Sequence, residues 1–74
     1  MEELVQRIEI KPEVMSGKPV IKGTRITVEH VLLALAGGSS AVDIVGMHPH
    51  ITTDDVRAAC AYAAMQMRSA AGFP

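Results

Sequence analysis

The sequence predicts a mainly α-helical fold in which a short β arm is followed by three helices. Three observations predict it. Apolar residues alternate with polar ones near the start of the chain, whereas after Thr27 they recur at helical spacing. Thr27, Ser40 and Thr52 each stand where a helix would begin, and their hydroxyls suit helix N-caps. The length of 74 residues predicts one domain, with the arm over 1–26 and the helical core over 27–70.

The arm carries two short extended segments. The alternation from Val5 to Lys11 is typical of a strand that ends at Pro12. A turn follows, in which Gly17 can adopt a positive φ. A second extended segment comes next and is interrupted by Gly23. The sequence therefore predicts either a β hairpin or an extended arm.

The first two helices have clear boundaries. The first begins after Thr27 and ends at Gly37 and Gly38, because glycine is the usual residue just past a helix. The second begins after Ser40, with Asp43 in the position of a capping box.

The third helix is the longest. The second helix must end before Pro49, because the residue preceding a proline is pushed out of the helical region. Thr52 with Asp55 three residues later predicts a new start. The third helix is then predicted from Thr53 to about Ala70, with the closing residues AGFP fraying from its end.

Apolar residues cover two sides of this third helix. One stripe consists of Val56, Ala59, Cys60, Ala63, Ala64 and Met67. The second stripe consists of Ala58, Ala61, Tyr62 and Met65. A helix apolar on nearly all sides is normally buried, and so short a chain cannot surround it. We expect the first stripe to pack on the other helices and the second to form an interface with another copy or a partner protein. The alternative is that alanine-rich faces simply remain in water.

The charge pattern bears on nucleic-acid binding. The net charge of −1 provides no overall attraction for a polyanion. If DNA is bound, the candidate contacts are Lys18, Lys22, Arg25 and Arg57. Contacts of this kind position a protein on phosphates without reading bases. The alternative is a hairpin whose basic side chains are only solvated.

The helical pattern resembles a helix-turn-helix, in which a short helix and a turn precede a longer helix. In the DNA-binding form of this motif, the start of the last helix enters the major groove. Here that start contains Asp54 and Asp55, which would face phosphates unfavourably. The sequence therefore predicts the motif as a fold rather than as a reader of bases.

Several site classes lack support in the sequence. Pro19 follows Gly17-Lys18, so a phosphate-binding loop is not formed. Three histidines and Cys60 do not make the convergent ligand set of a zinc site. No nucleophile, base and oxyanion site can be assembled. We expect a non-enzyme without cofactor or metal. No apolar run is long enough for a membrane span, and a cytoplasmic location is expected.

Two motifs carry a family resemblance. The stretch SGKPVIKGTRI and the stretch DVRAACAYAA, within a match over about Ile8 to Ala64, resemble the small prokaryotic family called domain of unknown function 433. The segment GMHPHIT departs from its pattern, which commonly has an aromatic residue before the proline. The resemblance implies a homeodomain-like helix-turn-helix core with a short β N-terminus. It also implies a role like that of VapB-type antitoxins, which block a PIN-like ribonuclease toxin and repress their shared promoter.

Two functions are therefore predicted. The first is an antitoxin-like regulator that acts as a homodimer, binds a PIN-like toxin and contacts promoter DNA. The second is a homodimeric protein-interaction module that does not bind DNA, in keeping with the acidic start of the last helix.

Overall fold

The computed structural model describes residues 2–71. In chain order the elements are α1 (Glu2–Val5), β1 (Ile8–Glu9), a 3₁₀ turn (Met15–Gly17), β2 (Val20–Ile21), α2 (Val28–Ala36), α3 (Ala41–Met47) and α4 (Thr53–Ala71). The described chain is thus mainly helical, with a short antiparallel sheet, as predicted. Of the stretch AGFP that was predicted to fray, Ala71 is the last residue of α4, and residues 72–74 lie outside the described part.

The β arm is a hairpin, but it is shorter than predicted. Strands β1 and β2 pair with Ile8 opposite Ile21 and Glu9 opposite Val20. The predicted start of the first strand is wrong, because Val5 belongs to helix α1 and the strand covers only Ile8–Glu9. Two glutamates in the first turn of α1 suit the positive end of a helix dipole. Alternation alone did not reveal this, because α1 is stabilised by packing against α4.

The glycine-rich segment after β2 is a structural turn. Gly23 has a φ of +78°, a conformation that favours glycine. The Thr24 hydroxyl donates to the Ile21 carbonyl at 2.8 Å, and the Ile26 amide donates to the Thr24 hydroxyl at 3.0 Å. The Val28 amide then donates to the Pro19 carbonyl at 2.9 Å. These bonds fold the chain back along β2 and deliver it to α2.

The predicted caps of the first two long helices are present. The Thr27 hydroxyl accepts from the His30 amide at 2.9 Å. Ser40 and Asp43 form a complete capping box, with bonds of 2.9 and 3.1 Å. The Ser40 backbone amide, and then its hydroxyl, hold the pKa of the Asp43 carboxyl below its usual value of 3.8. Sequence therefore defined these helix starts correctly, because the capping groups are local to each helix.

The cap of α4 was also predicted. The Thr52 amide donates to an Asp55 carboxylate oxygen at 2.8 Å, and the Asp55 amide donates to the Thr52 hydroxyl at 3.3 Å. Helix α3 ends at Met47, with His48 outside helical geometry before Pro49. The predicted end of α3 and start of α4 are therefore confirmed.

The core lies between the hairpin and the three longer helices. It consists of Ile21, Val28, Val31, Ile44, Ile51, Val56 and Ala59, all buried. Each of α2, α3 and β2 contributes at least one of these side chains, and α4 contributes two. The other elements thus pack against the first turns of α4.

The two predicted stripes of α4 need correction. Val56 and Ala59 are buried as expected, but Cys60 of the same stripe is exposed. Ala58 and Ala61, assigned to an intermolecular interface, are buried within the chain at 0% and 4% exposure. The reason is that α1 packs on α4, a contact that sequence periodicity does not reveal. Ala58 is therefore not available to a partner, and Ala61 offers little surface to one.

Replacing Ala61 with glutamate should therefore destabilise the folded chain rather than only disrupt an interface. A carboxylate would be placed at a position that is only 4% exposed, where its charge loses most of its contact with water. We expect a loss of about 3 kcal/mol or more in the free energy of unfolding, measured by urea titration. Ala64→Glu is the matched control, because Ala64 is exposed one turn later. Equal midpoints for both variants would contradict the burial of Ala61.

Candidate protein-interaction surface

The second half of α4 carries an exposed surface that includes apolar side chains. Every residue from 64 to 69 is exposed, although this stretch includes Ala64, Met65 and Met67. Met67 is 68% exposed. The earlier turns of the same helix are buried by α1, α2 and α3. The last turns thus present apolar side chains that the described part of the chain does not cover.

One groove lies between α2 and α4, and we call it the α2–α4 groove. Its volume is about 530 Å³. Apolar atoms form almost all of its exposed surface. The residues that line it are Lys18, Pro19, Thr27, Val28, Glu29, Leu32, Leu33, Tyr62, Ala63, Gln66 and Met67. At its rim, the Lys18 ammonium and a Glu29 carboxylate oxygen are 3.2 Å apart.

A second groove lies on another side of α4, and we call it the Cys60 groove. It is lined by Leu4, Leu35, Ala41, Val56, Arg57, Cys60, Ala61 and Ala64. Its volume is also about 530 Å³, and apolar atoms dominate its surface. Arg57 supplies its charged side chain, which is 67% exposed. The two grooves flank α4, so one helix serves two separate surfaces.

The predicted interface residues fall in different places. Tyr62 is half-buried and lines the α2–α4 groove, whereas Met65 is 37% exposed and lines neither groove. The residues that sequence analysis missed are Leu33 and Leu4. Leu33 was not assigned to any surface, although its 65% exposure makes it one of the most exposed large apolar residues.

The four predicted nucleic-acid contacts do not line one common depression. Lys18 and Arg25 line one depression beside the 3₁₀ turn, together with Glu13. Lys22 lines a different depression. Arg57 donates to an Asp54 carboxylate oxygen at 3.2 Å. Two of these cations, Lys18 and Arg57, are paired with carboxylates within the chain.

The acidic start of α4 is held by an arginine that sequence analysis did not single out. An Arg7 guanidinium nitrogen donates to Asp55 at 3.2 Å, and a second lies 3.9 Å from Asp54. Asp55 is 8% exposed and also accepts from Thr52, so its carboxylate is fully used. Arg7 is separated from Asp55 by 48 positions, and no local pattern could have indicated the contact.

The turn before β2 contains unusual backbone. Met15 and Ser16 have φ values of +49° and +58°, and Gly17 follows at +82°. Positive φ in a residue other than glycine costs free energy, of the order of 1 kcal/mol or more. The sequence predicted this conformation for Gly17 but not for the two residues before it.

The histidines make no metal site in the described part of the chain. The His30 and His48 rings lie 5.4 Å apart in an edge-to-face arrangement. Within residues 2–71, no group of three or more histidine, cysteine or acidic side chains is placed to bind a metal ion. Among the described helices, none is both long and apolar enough to cross a lipid bilayer.

The fold and these surfaces define a small, mainly helical protein with a β hairpin and two apolar grooves along its last helix. The chain belongs to the family described as Protein of unknown function (DUF433), whose model matches residues 8–63. The resemblance carried by SGKPVIKGTRI and DVRAACAYAA is thereby confirmed, and its extent agrees closely with the predicted one.

A solved structure is similar to this one. It is a DUF433 member protein from Anabaena variabilis ATCC 29413, whose crystal structure was determined at 2.00 Å resolution. The TM-score is 0.80 at 26% sequence identity, over 92% of this chain and 67% of that chain. A comparison with curated proteins found no significant match.

The exposure of Cys60 can be tested directly. A thiol in an open groove should react with Ellman's reagent in native buffer at a rate close to that of the unfolded chain. The measurement is the absorbance change on reaction, with and without guanidinium. Strong protection in native buffer would show that something covers the Cys60 groove in solution.

Proposed function

We propose that the chain is an antitoxin-like regulator that binds a small PIN-like ribonuclease toxin. The likeness to VapB-type antitoxins implied by the sequence motifs supports this class of function, whereas the matched family model is itself described as of unknown function. The observation that carries a protein-binding role is the Cys60 groove, an open and mainly apolar surface beside α4. Exposed apolar patches of this kind usually mark interaction sites.

In this proposal the toxin binds at the Cys60 groove. An interface needs an apolar centre with polar groups at its edge. Leu4, Leu35, Cys60 and Ala64 offer the centre, and Arg57 offers a cation at the edge. An acidic group on the partner could replace Asp54 as the partner of Arg57, because that existing ion pair is largely exposed and therefore weak.

The helical core is proposed to be a homeodomain-like helix-turn-helix. Helices α2, α3 and α4 pack on one another in turn, with short connections over 37–40 and 48–52. That order of elements is compatible with the motif. Promoter contact would then involve Lys18, Lys22, Arg25 and Arg57, which are all exposed.

A second candidate function is a homodimeric interaction module that does not bind DNA. One specific observation favours it: α4 begins with two carboxylates. Asp54 and Asp55 occupy the turn that would enter a major groove. Arg57, three residues after Asp54 on the same helix, donates to the Asp54 carboxylate. Lys22 and Arg25 make no ion pair within the described residues, and they remain the strongest candidates for phosphate contact.

Recovery of the tagged chain from its native host tests the toxin proposal. We expect a small ribonuclease in stoichiometric amount, identified by mass spectrometry, whose cleavage of RNA stops when the purified chain is added. Ala64→Glu should prevent recovery, because it places a charge in the Cys60 groove.

Met47→Glu is the matched control, because Met47 is 60% exposed and lines neither groove. It should recover the ribonuclease as the unaltered chain does. Equal recovery with both variants would place the toxin elsewhere, and absence of any ribonuclease would contradict the proposed function.

A salt titration of DNA binding separates the two candidate functions. Phosphate contact gives a slope of about −0.9 in log affinity against log salt for each contact. If DNA is bound, replacing Lys22 and Arg25 with alanine should reduce the slope, whereas Lys11→Ala should leave it unchanged. Fluorescence anisotropy, with duplex DNA from upstream of the gene, measures this slope for the unaltered chain and for each variant. A flat response in the unaltered chain would favour the module without DNA.

A further inference from the structure

We propose that a second copy of this chain occupies the α2–α4 groove, so that the protein is a two-fold symmetric dimer. The last turns of each α4 would lie in the groove of the other copy. This inference concerns a different surface from the proposed toxin site and does not depend on it. It also replaces the interface predicted from sequence, half of which is buried.

The first argument is that the groove and the side chains able to fill it belong to one patch. Leu33 and Met67 line the groove and are 65% and 68% exposed, so they stand above its floor. In a two-fold contact the same patch faces itself, and protruding groups of one copy must enter depressions of the other. A patch with both features satisfies this requirement without any other partner.

The second argument is the charge at the rim. Lys18 and Glu29 carry opposite charges and both line the groove. Their side chains are 58% and 63% exposed, so both ends remain open to further contact. A two-fold axis through the patch can bring Lys18 of each copy towards Glu29 of the other. A strongly basic or strongly acidic partner would instead need a groove rim whose charges all have the opposite sign to its own.

The third argument is the size of the chain. A domain of 74 residues buries a smaller fraction of its surface than a larger one, and small scaffolds are often stabilised by self-association. A disulfide within the chain is impossible, because Cys60 is its only cysteine. Covering Leu33 and Met67 would remove two of its most exposed large apolar side chains from water.

Sedimentation velocity across a concentration series tests the dimer. We expect the unaltered chain to reach twice its mass of 7.9 kDa. Leu33→Glu and Met67→Glu should each raise the dimer dissociation constant by about tenfold or more, because both place a charge in the interface centre. Circular dichroism should show that both remain folded, since neither residue is buried.

Val42→Glu is the matched control. Val42 is 73% exposed on α3 and lines neither groove, so its dissociation constant should equal that of the unaltered chain. A monomeric unaltered chain would overturn the proposal. So would a dimer that Leu33→Glu and Met67→Glu leave intact.

A charge exchange tests the reciprocal pairing. Lys18→Glu makes both rim groups acidic, and Glu29→Lys makes both basic, so each variant alone should dimerise weakly. Mixing the two should restore dimers that contain one copy of each. The pair within each chain is lost in both variants, so only contact between copies can produce this recovery. A mixture no more dimeric than its components would show that these charges do not face each other.

Discussion

The fold depends on burying the first turns of α4. Val56 and Ala59 belong to the core shared with the hairpin, α2 and α3, Ala58 and Ala61 are buried as well, and α1 packs on the same helix. Small side chains at these positions allow several elements to approach one helix at the same level. Within residues 2–71, no element covers residues 64–69 of α4, which are all exposed. Packing against the first turns of α4 therefore determines both which residues form the core and which apolar residues stay exposed.

Sequence predicted the features that are determined locally. The caps at Thr27, Ser40 and Thr52 act within three residues along the chain, and each was found in place. The hairpin was predicted as one of two options, although its first strand was extended too far. The errors arose where distant residues decide the outcome. Helix α1 is stabilised by α4, and the same contact buries the alanines that had been assigned to an interface.

The candidate surfaces were predicted only in outline. The excess of apolar residues on the last helix indicated an interface, because such a helix cannot be enclosed by so few residues. The exposed side of this helix could not be derived, because apolar periodicity shows which residues share a helix face but not which elements pack against that face. Leu33 and Leu4 were missed for this reason. The motif SGKPVIKGTRI, by contrast, is explained by structure: Thr24 and Gly23 shape the turn that aligns β2 with the start of α2.

The position of Asp55 has a consequence for folding cooperativity. Its carboxylate accepts from the Thr52 amide, which fixes the start of α4, and also from Arg7 in the arm. Detaching the arm would leave this nearly buried charge with one partner fewer, so opening the arm and unwinding the start of α4 are energetically linked. Among the described residues, the last turns of α4 make no such contact with the arm. The chain should therefore behave as one cooperative unit with an independently fraying helix end, and a binding partner would extend cooperativity to that end.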